Sequence, residues 1–210
     1  NLGAEPDTEY GLLGLKELNS PEKYTEYINY ILNGLDRGNT KMGAGIGTWG
    51  NLAYVKSFAS NTSLDFIVIH VYATFGTCLQ NIVVIADIAH QYNKKVMLDE
   101  TWLYKVDAPM ANNVAVNAEI FRRDAFSFWA PLDQKFLASM VKSARLKNIE
   151  YISPFWTTYF FGYVDYNSNN AHLPYSELRD MVNKDAVKNV VADKFTSTGE
   201  YYKKLISENK

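Results

Sequence analysis

Residues 64–72, LDFIVIHVY, form a run of mainly β-branched and aromatic side chains on which the choice of fold rests. A continuous apolar run of this kind is typical of a strand buried on both faces, as in a parallel sheet. Residues 95–100 and 149–156 are also interpreted as strands, residues 41–48 as a glycine-rich strand, and residues 1–4 as a strand end of mostly small or apolar residues before Glu5-Pro6. The sequence therefore predicts five strands.

Segments with helical spacing of apolar residues separate these strands. The clearest one follows Ser20, a good N-cap, and has Pro21 in the first helical position. Further helices are predicted around residues 52–58, 79–86, 136–144 and 199–207. Strands that alternate with helices form a parallel sheet with right-handed crossovers, so the predicted fold class is α/β.

Two α/β architectures are compatible with this order, a doubly wound sheet and a (β/α)8 barrel. A nucleotide-binding doubly wound sheet needs a glycine fingerprint after its first strand, and neither G-x-G-x-x-G nor G-x-x-x-x-G-K-[ST] occurs. Residues 43–47, GAGIG, lie within a predicted strand, where we interpret them as small residues that pack tightly inside a barrel.

Composition excludes several classes of function. The chain has 210 residues, a net charge of −2 and a pI near 6.0, which gives no electrostatic case for binding nucleic acid or an anionic membrane. No apolar stretch reaches the ~20 residues needed to span a bilayer. The lone Cys78 excludes an internal disulfide framework and leaves the redox compartment undecided, with a secreted or cell-surface location slightly favoured. Aromatic residues make up 14%, and such rings fill cores but also line sugar-binding clefts.

Chemistry-bearing side chains recur where the predicted strands end. In a barrel these positions share one rim, the rim that carries catalytic groups. The strand ends, in chain order, carry Glu5, then Trp49, then His70 and Tyr72, then Glu100 and Trp102, and finally Trp156. Two carboxylates, a His-x-Tyr pair and three tryptophans are therefore expected to converge.

These motifs resemble those of clan A glycoside hydrolases, which are retaining (β/α)8 enzymes. The resemblance rests on the sequences AEP at residues 4–6, DFIVIHVY at 65–72, DETW at 99–102 and SPFW at 153–156. They are similar to the ends of the family's strands four, six, seven and eight, and the resemblance extends from residue 1 to the final helix.

The resemblance implies a function and a role for each of these residues. Glu5 would be the acid/base and Glu100 the nucleophile of a retaining hydrolase that cleaves β-linked oligo- or polysaccharides without a metal or organic cofactor. His70 and Tyr72 would approach the nucleophile and the substrate. The three tryptophans, Trp49, Trp102 and Trp156, would contact the sugar.

One position departs from the family. Ala4 stands where these enzymes usually have an asparagine that contacts the 2-hydroxyl of the sugar, so the preferred sugar and linkage stay open. An alternative function is therefore a non-catalytic carbohydrate-binding barrel derived from such an enzyme.

A barrel aldolase ranks last, because it needs a lysine at a strand end and Lys105 lies beyond its strand.

The resemblance also implies what this chain supplies. Five strands match strands four to eight of one catalytic barrel, residues 1–210, so strands one to three are expected from another segment or a separate chain. Strand alternation places Asp99 on the face opposite Glu100, where we expect a structural hydrogen bond. The three histidines lack metal-ligand spacing, so no metal site is predicted.

Overall fold

The computed structural model describes most of the chain. Its described residues are 1–3, 5–6, 14–72, 76–106 and 118–208, with backbone alone for 118–120. Ala4, the position that departs from the family motif, lies outside them.

The chain divides into two compact units. The first comprises Asn1–Thr101 and Ser143–Ser153, and the second comprises Trp102–Lys142 and Pro154–Lys210.

The first unit is built on a sheet whose strand order follows the chain order. The strands are β1 (Gly43–Gly47), β2 (Phe66–Val71), β3 (Lys95–Thr101) and β4 (Tyr151–Pro154). β2 pairs in parallel with both β1 and β3, and Glu150 N donates to Val96 O at 3.0 Å beside β4. The predicted α/β class and parallel order are therefore confirmed.

The predicted first strand lies beside β1 as an extended segment. Leu2 N donates to Gly43 O at 2.7 Å, and Gly45 N donates to Gly3 O at 2.9 Å. Residues 1–3 therefore continue the sheet beyond β1 and bring Glu5 to the end of the sheet where β1, β2 and β3 also end.

Six α-helices lie within the described ranges of the chain. They are α1 (Pro21–Gly34), α2 (Ala53–Asn61), α3 (Cys78–Gln91), α4 (Ala130–Leu146), α5 (Tyr175–Val191) and α6 (Ser197–Ser207). Short 3-10 helices occupy Lys16–Leu18, Ala118–Ala125, Ser127–Trp129 and Thr157–Phe160. None of the helices in the described part of the chain combines the length and the apolarity that a membrane span requires.

Local sequence signals explain where α1 begins. Ser20 Oγ accepts a hydrogen bond from Lys23 N at 3.2 Å, and Pro21 occupies the first helical position, as predicted. The helix ends at Gly34, and Gly38, with φ +50°, lies in the turn that follows. In the second unit, the 17-residue helix α5 was not predicted, and it buries Tyr175, Leu178, Val182 and Ala186.

Close packing of β1 against β2 depends on glycine. All five residues of β1 are buried, and a Cβ atom built on Gly45 would overlap the carbonyl oxygen of Val68 in β2. The predicted role of GAGIG as tightly packed small residues is confirmed for this strand pair. Close packing here holds β1 beside β2, whose C-terminal end carries His70.

We expect Gly45→Ala to lower the free energy of unfolding by about 2 kcal/mol or more, because the added methyl group must push two paired strands apart. The matched control is Gly34→Ala at the end of α1, where a Cβ meets nothing within 4 Å. Urea denaturation of both variants measures the difference. Equal stability of the two variants would contradict the packing role of Gly45.

Candidate active site

A buried histidine at the end of β2 organises the site. The His70 side chain is 7% exposed, and its two ring nitrogens face carboxylates on opposite sides. Nδ1 lies 2.8 Å from Glu5 Oε1 and 3.5 Å from Glu100 Oε2. Nε2 lies 3.0 Å from Asp99 Oδ1. One imidazole therefore joins three acidic side chains.

An irregularity in the β2–β3 register brings two consecutive residues of β3 to this histidine. Ile69 is paired with Leu98, whereas the next residue, His70, is paired with Glu100, so Asp99 is an extra residue in β3. Such a bulge interrupts strand alternation and re-aims side chains. The expectation that Asp99 faces away from Glu100 is therefore wrong, since both carboxylates contact His70.

The two predicted catalytic carboxylates lie close together. One oxygen of Glu5, one oxygen of Glu100 and a ring nitrogen of His70 all lie within 4.8 Å of one another. The hydroxyl of Tyr72 donates a hydrogen bond to Glu100 Oε2 at 2.6 Å. The side chains of Glu5 and Glu100 are 23% and 35% exposed, so solvent reaches both.

Asn1 supports the site, a role that was not predicted from the sequence. Its Nδ2 donates to Asp99 Oδ2 at 3.0 Å, while its Oδ1 accepts from Gly3 N at 3.1 Å. The extended segment before Glu5 is therefore tied to the bulge in β3. Because Asn1 and Asp99 are 98 positions apart in the chain, no local pattern indicates their contact.

The surroundings of His70 favour its protonated form. Burial alone would lower its pKa, but contacts with Asp99 and Glu5, together with the charges of Asp99 and Glu100, outweigh burial and raise the pKa to about 9. His70 is therefore an imidazolium at neutral pH. Its Nδ1 is hydrogen-bonded to Glu5 Oε1, and its Nε2 forms an ion pair with Asp99 Oδ1.

Trp49 lies beside this cluster in the first unit. Its ring covers Gly47, where a Cβ would overlap the indole, and its centroid is 6.1 Å from that of Tyr72. The side chain is 41% exposed. Trp49 therefore offers an open aromatic face next to the tyrosine that contacts Glu100.

The other two predicted tryptophans belong to the second unit. Trp102 is 1% exposed and packs against Tyr159 and Phe160, so its ring is part of a core. This burial gives no support to the expectation that Trp102 contacts the sugar. Trp156 is half-buried, with Phe121 and Phe155 against its ring. The contact of Trp156 with sugar stays a prediction.

Lys105, the lysine that an aldolase would need, is enclosed in the second unit. Its Nζ lies 2.8 Å from Asp133 Oδ1, and both side chains are 0% exposed. Asp133 also accepts a hydrogen bond at 2.7 Å from the hydroxyl of Tyr163. A lysine that is ion-paired and fully enclosed has a structural role, which gives the aldolase alternative no support.

A second aspartate accompanies this buried pair. Asp124 is 2% exposed, and its burial raises its pKa to about 7, with the charge of Lys105 opposing the shift and the charge of Asp133 adding to it. Arg123 also lowers this pKa. The folded protein therefore holds a proton on Asp124 at a pH where an ordinary carboxyl group has lost it.

Comparison with known proteins gives no relative for this chain. No protein-family model, curated protein or solved structure matches it. The function is therefore argued from the geometry of the site.

For His70 we expect an NMR titration midpoint near pH 9, followed through the ring 15N shifts and assigned by their loss in His70→Gln. Asp99→Asn removes one of the three carboxylates around the ring and should lower the midpoint by about one unit or more. A midpoint below 7 in the unaltered protein would contradict the charged-histidine arrangement.

The same raised pKa has a consequence for stability. Because the pKa of His70 is higher in the folded state than its ordinary 6.5, its contribution is fully present below pH 6.5 and is lost as the pH rises through 9.

The burial of Asp124 affects stability over a lower pH range than the charge of His70 does. The folded state keeps a proton between the ordinary carboxyl pKa of 3.8 and about 7, so stability should fall as the pH rises across this range. We expect Asp124→Asn to remove on the order of 3 kcal/mol of this decline. Denaturant unfolding of both proteins from pH 4.5 to 7.5 measures it, and parallel profiles would contradict the assignment.

Proposed function

We propose that the protein is a retaining glycoside hydrolase that uses Glu100 as nucleophile and Glu5 as acid/base. The observation that carries the proposal is the approach of these two carboxylates, within 4.8 Å, at the ends of the N-terminal extended segment and of β3. Retaining enzymes place their two carboxyl groups about 5 Å apart, so that one attacks while the other protonates the leaving oxygen. Inverting enzymes need a wider gap for water.

The surroundings of Glu100 suit a nucleophile. The hydrogen bond from Tyr72 to Oε2 holds the carboxylate in one orientation and stabilises its negative charge. His70 Nδ1, 3.5 Å from the same oxygen, adds a positive charge nearby. The other oxygen, Oε1, is then the atom that attacks the anomeric carbon and forms the glycosyl–enzyme bond.

Glu5 moves the protons of the reaction. In the first step Glu5 acts in its acid form, with the proton on Oε2 and with Oε1 facing His70, and it gives that proton to the glycosidic oxygen as the bond to the anomeric carbon breaks. In the second step the resulting carboxylate takes a proton from the attacking water. His70 Nδ1 holds Glu5 Oε1 at 2.8 Å through both steps. His70 is a positioning residue in this scheme, and Asp99 fixes its orientation from the other ring nitrogen.

The proposal includes the substrate class and the wider architecture. The exposed ring of Trp49 would stack on the C–H face of a sugar in a β-linked oligo- or polysaccharide. The parallel sheet would be the last part of a (β/α)8 barrel, with three further strands from another segment or chain. The proposed hydrolysis needs no cofactor.

The test is proton NMR of the first products released from a panel of aryl β-glycosides, with the protein assayed together with any chain that co-purifies with it. We expect the β-anomer first, and background rates for Glu100→Gln. Glu5→Gln should lose about 10²–10⁴-fold on substrates with poor leaving groups. The activity of this variant on dinitrophenyl glycosides should fall much less, because the dinitrophenolate group leaves without being protonated.

The control is Glu150→Gln. This carboxylate pairs with Lys95 at the other end of β3 and is 46% exposed, so the activity should not change. Release of the α-anomer first would overturn the retaining mechanism. No turnover of any glycoside by the folded protein, with sugar binding intact, would favour the non-catalytic carbohydrate-binding alternative.

A further inference from the structure

The side chains around His70 can also bind a metal ion, because imidazole and carboxylate groups are metal ligands as well as proton carriers. One nitrogen of His70, one oxygen of Glu5 and one oxygen of Glu100 lie within 4.8 Å of one another. Imidazole and carboxylate together are a donor set that suits Zn²⁺ and related transition-metal dications.

We propose that Glu5, His70 and Glu100 bind one transition-metal dication of the Zn²⁺ class, and that the bound ion blocks the two carboxylates. The metal site stands on the geometry of the three side chains. The blocking effect rests on the proposed glycosidase function.

The donor separations fit a small ion. Ligands about 2.1 Å from a tetrahedral ion lie about 3.4 Å from one another. His70 Nδ1 is 2.8 Å from Glu5 Oε1 and 3.5 Å from Glu100 Oε2, on either side of this value. An ion between them requires side-chain shifts of less than about 1 Å, and it displaces the proton on Nδ1, which passes to the buffer.

The outer contacts of two of the three ligands, His70 and Glu100, are those that metal sites use. A metal-bound histidine usually gives its other ring N–H to a carboxylate, which orients the ring. Asp99 Oδ1, 3.0 Å from Nε2, is in that position, and Asn1 in turn holds Asp99 Oδ2. Tyr72 orients the carboxylate of Glu100, because its hydroxyl donates a hydrogen bond to Oε2.

Access and coordination number also match. The Glu5 and Glu100 side chains are partly exposed, which gives an ion a route to the site. Three protein ligands leave a fourth position for water, as in exchangeable zinc sites. Both carboxylates would then be committed to the ion, so Glu100 could not attack a sugar and Glu5 could not carry the proton.

The experiment is isothermal titration of the metal-stripped protein with ZnCl₂. We expect one Zn²⁺ per chain, a loss of at least about 100-fold in affinity for His70→Gln, and about 10–100-fold for Asp99→Asn, which removes an orienting partner. The matched control is His172→Gln, an exposed histidine of the second unit, whose affinity should equal that of the unaltered protein.

A second measurement guards against misfolded variants. Co²⁺ added to the unaltered protein should give the visible absorption of a four- or five-coordinate site, and excess Zn²⁺ should abolish it. No Zn²⁺ binding tighter than about 1 mM, or equal affinity in His70→Gln, would overturn the site.

Metal inhibition separates this proposal from the glycosidase proposal. If the protein hydrolyses glycosides, the Zn²⁺ inhibition constant should equal the Kd from titration, and activity unaffected by saturating Zn²⁺ would overturn the blocking effect. If it hydrolyses none, the titration still decides whether the metal site exists.

Discussion

The site depends on the ion pairs that His70 forms from both ring nitrogens. A buried imidazolium is costly unless each N–H meets an acceptor, and here Asp99 lies on one side with Glu5 and Glu100 on the other. The arrangement ties together residues from the N-terminal segment, from β2 and from β3. Removal of the imidazole would leave three carboxyl groups without the positive charge that holds them close.

The backbone that makes this possible is unusual at two places. At β1, glycine lets the strand lie so close to β2 that a Cβ on Gly45 would overlap Val68 O. At β3, the bulge turns Asp99 toward the same histidine as Glu100. The first feature sets the spacing of the strands, and the second adds a carboxylate that regular alternation would have pointed elsewhere. Both features place reactive side chains at one end of the sheet, and a sheet is a scaffold that keeps such side chains in fixed positions.

The second unit also contains a cluster of charged side chains, but this cluster is closed to solvent. Lys105 and Asp133 form a fully enclosed ion pair, and the charges of both shift the pKa of Asp124. No solvent reaches the lysine, so this cluster is closed to a substrate. In the first unit, exposure of Glu5 and Glu100 leaves the charged groups open to a substrate or an ion. Exposure, more than charge, distinguishes the two clusters.

Local sequence signals were enough to predict the α/β class, the strand positions and the candidates at the strand ends, because β-branched runs, helical spacing and N-caps act over a few residues. They also placed Glu5, His70, Tyr72 and Glu100 where strands end, which is why their convergence could be predicted. Tertiary contacts were needed to bring Asp99 and Asn1 into the site, to bury Trp102, and to form α5 where no strong local pattern indicates a helix. These features depend on a register shift between strands, on contacts between residues far apart in the chain, and on burial. None of these leaves a periodic signal in the sequence.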